Sequence, residues 1–142
     1  MVAFIHSLLG FKELVFEKAD YLEDAMVIHA HVRKHLQKCS CCGSSKVHIQ
    51  ESYKKTFRSN NIGISKFFIN CTIYKFLCLQ CNESAWMEVP FAFKDLPVTK
   101  AFAEYVYSFQ KKHESDEIAQ FCDLECELVE KIKQAYLGNF LS

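Results

Sequence analysis

Apolar residues along this chain follow two rhythms. Between residues 12 and 35 they alternate with polar ones: KELVFEKA places Leu14 and Phe16 on one side, and AMVIHAHV alternates again after the turn-forming YLED. A period of two belongs to a half-buried strand, so this stretch predicts a β-hairpin. Residues 46–90 keep that rhythm. VHIQESY alternates, NNIG signals a turn, and KFFINCTIYKFLC is a β-branched and aromatic run that predicts a long strand. Ahead of the first hairpin, MVAFIHSLLGFKELVF reads as a short helix leading into a strand. It lacks the basic start and the small-residue cleavage site of an export signal.

From Asp95 onward the period becomes helical. Thr99 predicts an N-cap for a helix through KAFAEYVYSFQKK, with Phe102, Val106 and Phe109 on one face and Lys111, Lys112 and His113 at its C-terminal end. Ser115 predicts the cap of a short second helix, DEIAQFC, with Asp116 and Glu117 in its first turn. A break at Asp123 and Leu124 precedes a third helix, ECELVEKIKQAYL, and Gly138 and Asn139 read as its stop. The last two helices have helix-turn-helix spacing. Ala119 sits at the close approach, Ile118 and Phe121 or Cys122 face inward, and Val129 and Ile132 anchor the third helix. Asp123 stands where such turns commonly carry glycine, and Asp tolerates the left-handed region better than most residues. An ordinary three-helix bundle satisfies the same pattern.

Composition narrows the class. Half of the 142 residues are hydrophobic, 13 of them Phe and 6 Tyr, which is enough to build a core and argues against disorder. No apolar window is long enough for a membrane span. With no export signal, the expected compartment is the reducing cytoplasm, where eight cysteines serve as thiols or metal ligands rather than disulfides. The formal charge is zero but uneven: residues 39–90 carry a net +3 and residues 91–142 a net −3. Only the middle third should attract a polyanion.

Cysteine spacing carries the most specific chemistry. CSCCGS contains Cys39-x-x-Cys42, and FLCLQC contains Cys78-x-x-Cys81, which begins 36 residues after Cys42. Two residues between cysteines let both sulfurs turn toward one ion, so two pairs predict a tetrahedral thiolate site for one structural zinc. The strands between the pairs can carry the second knuckle back to the first, as in a zinc ribbon. Gly43 suits the tight turn. A redox Cys-x-x-Cys needs only one pair and a helix beginning at it. Cys71, mid-strand, reads as buried, and Cys122 and Cys126 read as packed small residues. His29 and His31 share a strand face and read as a surface pair.

Taken together, CxxCGS followed by Val47 and His48, the aromatic strand ending in CxxC, a short strand from Trp86 to Val89, Thr99-x-x-Phe102-Ala103, Ser115-x-x-Ile118-Ala119 and Val129-x-x-Ile132 form a recognisable order. Over residues 4–137 the chain resembles the N-terminal region of bacterial ISL-type insertion-sequence transposases (the ISL-three family). In that family a zinc module and a helix-turn-helix precede a DDE catalytic domain. The resemblance implies Cys39, Cys42, Cys78 and Cys81 as zinc ligands. Thr99, Phe102, Ser115, Ala119, Leu124, Val129 and Ile132 match the helical part. It also implies a bacterial cytoplasmic protein whose partner is double-stranded DNA. A second copy of the chain or a separate catalytic transposase subunit would be further partners. No DDE triad lies within the 142 residues, so the reading is non-catalytic.

The resulting expectation is an α+β protein. A β-rich zinc-ribbon module would occupy residues 1–93, and a three-helix helix-turn-helix module residues 94–142. Lys54, Lys55 and Arg58 would hold phosphates. Glu127, Lys131 and Gln134 would reach base edges, with Lys133 near the backbone. Against this, the third helix carries Glu125, Glu127 and Glu130 beside Lys131 and Lys133, less basic than a groove reader usually is. The second reading is a protein–protein adaptor in which zinc and helices are structural and the acidic third helix meets a basic partner.

Overall fold

The structure, a computed structural model, describes residues 11–63, 65–93 and 95–141, the last four of these as backbone only. The helix expected over the first ten residues lies outside the described residues. The fold is mixed: a five-stranded sheet and three α-helices among the described residues.

Strands β1 (Leu14–Tyr21) and β2 (Ala25–Val32) form the expected hairpin. Their apolar side faces inward because alternation puts Ile28, Ala30 and Val32 on one surface. β3 (Val47–Ile62) and β4 (Ser65–Cys78) form a second, much longer antiparallel hairpin. It turns at Gly63, whose φ of +62° costs glycine no steric strain. Along β4, Phe67, Ile69, Cys71 and Ile73 are all buried on one face, as the period of two requires. A fully buried Phe or Ile side chain contributes about 1.5–3 kcal/mol, so this row dominates the sheet's stability.

The two hairpins are not separate. β2 pairs in parallel with β4, from Ala25 opposite Lys66 to His31 opposite Thr72, giving the order β1-β2-β4-β3. β5 (Ser84–Trp86) then takes the same edge of β4 further along, with Trp86 opposite Lys75. The short strand expected from Trp86 to Val89 therefore lies earlier. Its position is set by the second cysteine knuckle, which returns the chain directly onto β4.

Helix α1 (Lys100–Tyr107) is capped by Thr99, whose Oγ1 accepts from the Phe102 amide at 3.2 Å. It ends five residues short of the expected Lys112. Ser108 Oγ donates back to the Tyr105 carbonyl, and residues 108–112 turn instead of continuing. Lys111 and Lys112 consequently lie beyond the helix.

α2 (Ser115–Cys122) starts one residue earlier than expected. Glu114 is its N-cap, and the Glu114 amide donates to Glu117 Oε1 at 3.1 Å. The Ser115 hydroxyl is taken by α3 (Cys126–Leu141): it bonds Glu130 and accepts from Lys133 Nζ at 2.7 Å. Helix α3 also runs through Gly138 and Asn139, which were expected to stop it. Neither residue forbids a helix, at a cost of about 1 kcal/mol for glycine.

Two apolar clusters result. One fills the sheet around Phe57, Phe67 and Ile69; the other joins the helices through Phe102, Val106, Ile118, Val129 and Ile132. β3 connects them. Its Arg58 amide donates to the Pro97 carbonyl and its Arg58 carbonyl accepts from Thr99, each at 2.9 Å. Thr99 Oγ1 also reaches Ser59 Oγ at 3.1 Å. Residues 97–99, which lead into α1, are thus stitched to the sheet. No helix among the described residues is long and apolar enough to cross a membrane.

Candidate metal centre and helical surface

The β3–β4 pairing places Val47 opposite Cys78, so the chain just before β3 lies beside the chain just after β4. Each carries a cysteine pair, and Leu79 donates to the Lys46 carbonyl at 2.9 Å to tie them together. The two knuckles are built alike. Cys39 Sγ accepts from the Cys41 and Cys42 amides at 3.3 and 3.4 Å, and Cys78 Sγ accepts from Gln80 and Cys81 at the same distances. Gly43 donates to the Cys39 carbonyl at 2.9 Å, and Asn82 to the Cys78 carbonyl at 3.0 Å. Both sit at positive φ, +77° and +61°. Asn is the non-glycine residue best suited to that region, and its place after the second pair mirrors Gly43.

Four sulfurs converge. Cys39 Sγ lies 3.7 Å from Cys81 Sγ, Cys42 Sγ lies 3.5 Å from Cys78 Sγ, and all four fall within 4.8 Å of one another. A tetrahedron of thiolates about 2.3 Å from a central zinc has edges of about 3.8 Å. A disulfide needs about 2.05 Å, and all eight cysteines are free thiols. The donor set therefore fits one metal ion.

Electrostatics point the same way. The Cys42 and Cys41 amides pull the Cys39 thiol down to about 6. The Cys81 amide, then that of Gln80, lowers Cys78 against the effect of burial. Cys42 gains from the Ser44 amide, but the Cys78 sulfur and burial raise it overall. Cys81 gains from Glu83, yet burial and its three sulfur neighbours push it up to about 12. Backbone dipoles stabilise one thiolate per knuckle. Ionising all four requires a cation among them.

Of the other cysteines, Cys71 is buried as expected and Cys122 is buried, but Cys126 is exposed at the start of α3. It does not join the packing expected of it, because the first turn presents it outward. Cys41 is exposed and outside the four-sulfur group. His29 and His31 each bond a carboxylate of β1, Asp20 at 2.7 Å and Glu17 at 2.8 Å.

The expected DNA-contacting residues have different fates. Lys54 is exposed on β3, and Lys55 is half-buried with its ammonium 5.1 Å from the Phe57 ring centre. Arg58 is only 9% exposed. Its guanidinium lies 4.9 Å from the Phe102 ring centre and donates to the Asp123 carbonyl, so it is spent inside the molecule rather than held out to phosphates. On α3, Glu127, Lys131 and Gln134 are exposed at helical spacing, with Lys131 3.6 Å from Glu127. Lys133 is held by Ser115.

Asp123 itself adopts φ 56° and ψ 56° between α2 and α3, and both its amide and that of Leu124 donate to the Ala119 carbonyl. Ile118, Ala119 and Cys122 face inward while Phe121 is 67% exposed. Sequence reasoning missed Asn82 and the inward role of Arg58. The first had a signal in its position after Cys81. The second had none, since a strand arginine looks the same buried or free.

Comparison with protein-family models, curated proteins and solved structures found no match.

Proposed function

We propose that this chain is a zinc-stapled, non-catalytic DNA-binding protein. One structural zinc would be held by Cys39, Cys42, Cys78 and Cys81 in a zinc ribbon formed by β3 and β4. Four thiolates leave no open coordination position, so the metal's contribution would be folding energy rather than chemistry. α2 and α3 would act as a helix-turn-helix, in keeping with the resemblance to the end-binding part of an insertion-sequence transposase.

One observation carries the DNA reading. The αL turn at Asp123 is pinned by Arg58, and this fixes α3 with Val129 and Ile132 inward and Glu127, Lys131 and Gln134 outward. Base edges would be read by that outward stripe, since Glu accepts from cytosine and Gln can bond adenine. Lys54 would supply phosphate contact.

The test is binding of the zinc-loaded chain to labelled mixed-sequence duplexes over a salt series. The DNA reading expects measurable affinity at low salt that falls steeply as salt rises. It also expects loss of about ten-fold on changing Gln134 or Lys131 to alanine. No duplex binding at low salt would overturn it.

A specific observation favours the adaptor as second reading. Phe121 at 67% and Tyr105 at 51% stand exposed on the helical part, whose sequence is net acidic. An aromatic, acidic surface of that kind suits a basic protein partner.

A further inference from the structure

The row of buried side chains along β4 does not end in solvent. Beyond Ile73 the same sheet face passes into an open cleft of about 830 Å³, bounded by the segment that follows β5. Two aromatic rings stand in its wall. Trp86 and Tyr53 lie edge to face, centroids 5.1 Å apart at 80°, and remain 41% and 48% exposed. On β3 and β4 the other large aromatics are buried or half-buried, and on the whole sheet only Tyr21, at the end of β1, is also exposed among the described residues.

Lysines stand near the cleft. Lys55 and Lys100 line it, their ammoniums over Phe57 and Phe93, and Lys75, opposite Trp86 across the β4–β5 ladder, holds its ammonium 6.0 Å from the indole centre and 3.4 Å from Glu51 Oε2. The β3–β5 region also lies within the chain's net-positive third, residues 39–90. Glu88 and Asp95 share the cleft lining. Carboxylates there repel phosphate but accept hydrogen bonds from the exocyclic amino groups of bases.

We infer that this cleft binds single-stranded nucleic acid, stacking an unpaired base on one exposed ring of the Trp86–Tyr53 pair while Lys55, Lys75 and Lys100 take the flanking phosphates. Every base has a π-face, and aromatic platforms beside lysines are the usual means of holding an unpaired strand. A base inside a duplex is already paired and stacked, so it cannot enter. The site is separate from the α3 surface and does not depend on the duplex reading given above.

Trp86 is the chain's single tryptophan, so its emission reports on this cleft directly. The experiment titrates the full zinc-loaded chain with a mixed-sequence twelve-nucleotide single strand at low salt, with the matching duplex in parallel. The expected result is saturable quenching by the single strand, weakened about ten-fold in Tyr53→Ala and in Lys55→Gln. Neither residue is among the four cysteines, and a melting curve for each variant checks its fold. Emission indifferent to the single strand would overturn the inference, as would quenching unchanged in both variants. Equal quenching by the duplex would overturn the unpaired-base occupant. A proline-rich peptide that quenches where the single strand does not would assign the cleft to a protein ligand instead. Failure of α3 variants to affect duplex binding would bear only on the preceding proposal.

Discussion

The guanidinium of Arg58, on β3, donates through Nη1 to the main-chain carbonyl of Asp123 at 3.1 Å, joining the sheet to the turn between α2 and α3. Its plane also lies over Phe102, and a second nitrogen reaches Asn61 Oδ1 at 3.4 Å. One side chain therefore contacts the sheet, α1 and the inter-helix turn. Arg58→Ala should cost about 1–3 kcal/mol from the lost charge-assisted bond and ring contact. Arg58→Lys should not restore it, because a single ammonium cannot reproduce the fork. Urea melts of the three proteins check this. A change below about 0.5 kcal/mol, the usual range for surface substitutions, would remove Arg58 from this role.

Asp123 holds φ at 56°, a conformation that β-branched residues avoid. Asp123→Val should destabilise by about 1–3 kcal/mol. Asp123→Gly should stay within about 1 kcal/mol of the parent, since it relieves the backbone while losing the exposed Lys66 pair. Equal melting of the two variants would mean the turn is not αL in solution.

The same carboxylate gives a pH effect of definite sign. Its bond to Lys66 holds the Asp123 carboxyl below its ordinary 3.8, and the His29 bond does the same for Asp20. A group with a depressed folded pKa contributes stability above its unfolded pKa and loses it as pH falls through the folded value. Asp123→Asn and Asp20→Asn should therefore melt slightly lower than the parent at pH 6. The gap should close as pH falls below about 4. A gap that widened on acidification would contradict the assignment. Both groups are exposed, so the effect is small.

At the cysteine cluster, position within the knuckle should decide everything. Cys78→Ser removes one of the four converging sulfurs and should abolish cooperative melting of the sheet, because metal affinity in such modules is folding energy. Cys41→Ser changes an exposed thiol outside the group and should leave the thermal midpoint and metal content unchanged. If the two variants behaved alike, the assignment of ligands within CSCCGS would be wrong.

Local signals were readable in the sequence wherever chemistry and spacing coincide. The two Cys-x-x-Cys pairs, the Thr99 cap, the alternation along β4 and the left-handed Asp123 each depend on a few neighbouring residues. Features set by distant contacts were not readable. The parallel pairing of β2 with β4 depends on which edge of a long hairpin is left free, and alternation is identical for either edge. Arg58 carries a charge that normally signals the surface, and only the arrival of α1 and the Asp123 turn buries it. By composition Ser115 is a better cap than Glu114. Its hydroxyl is drawn instead to Glu130 and Lys133 on a helix that the local pattern could not place. The cleft walled by Tyr53 and Trp86 was hidden for a similar reason: aromatic residues read as core until the fold shows which of them stay exposed.

The most direct measurement is elemental mass spectrometry of the chain purified without added metal, paired with a thermal melt before and after chelation. The four-sulfur geometry predicts about one zinc per chain and a large loss of stability when the metal is removed. A metal-free protein whose melt ignores the chelator would contradict it, leaving Cys39, Cys42, Cys78 and Cys81 as ordinary thiols.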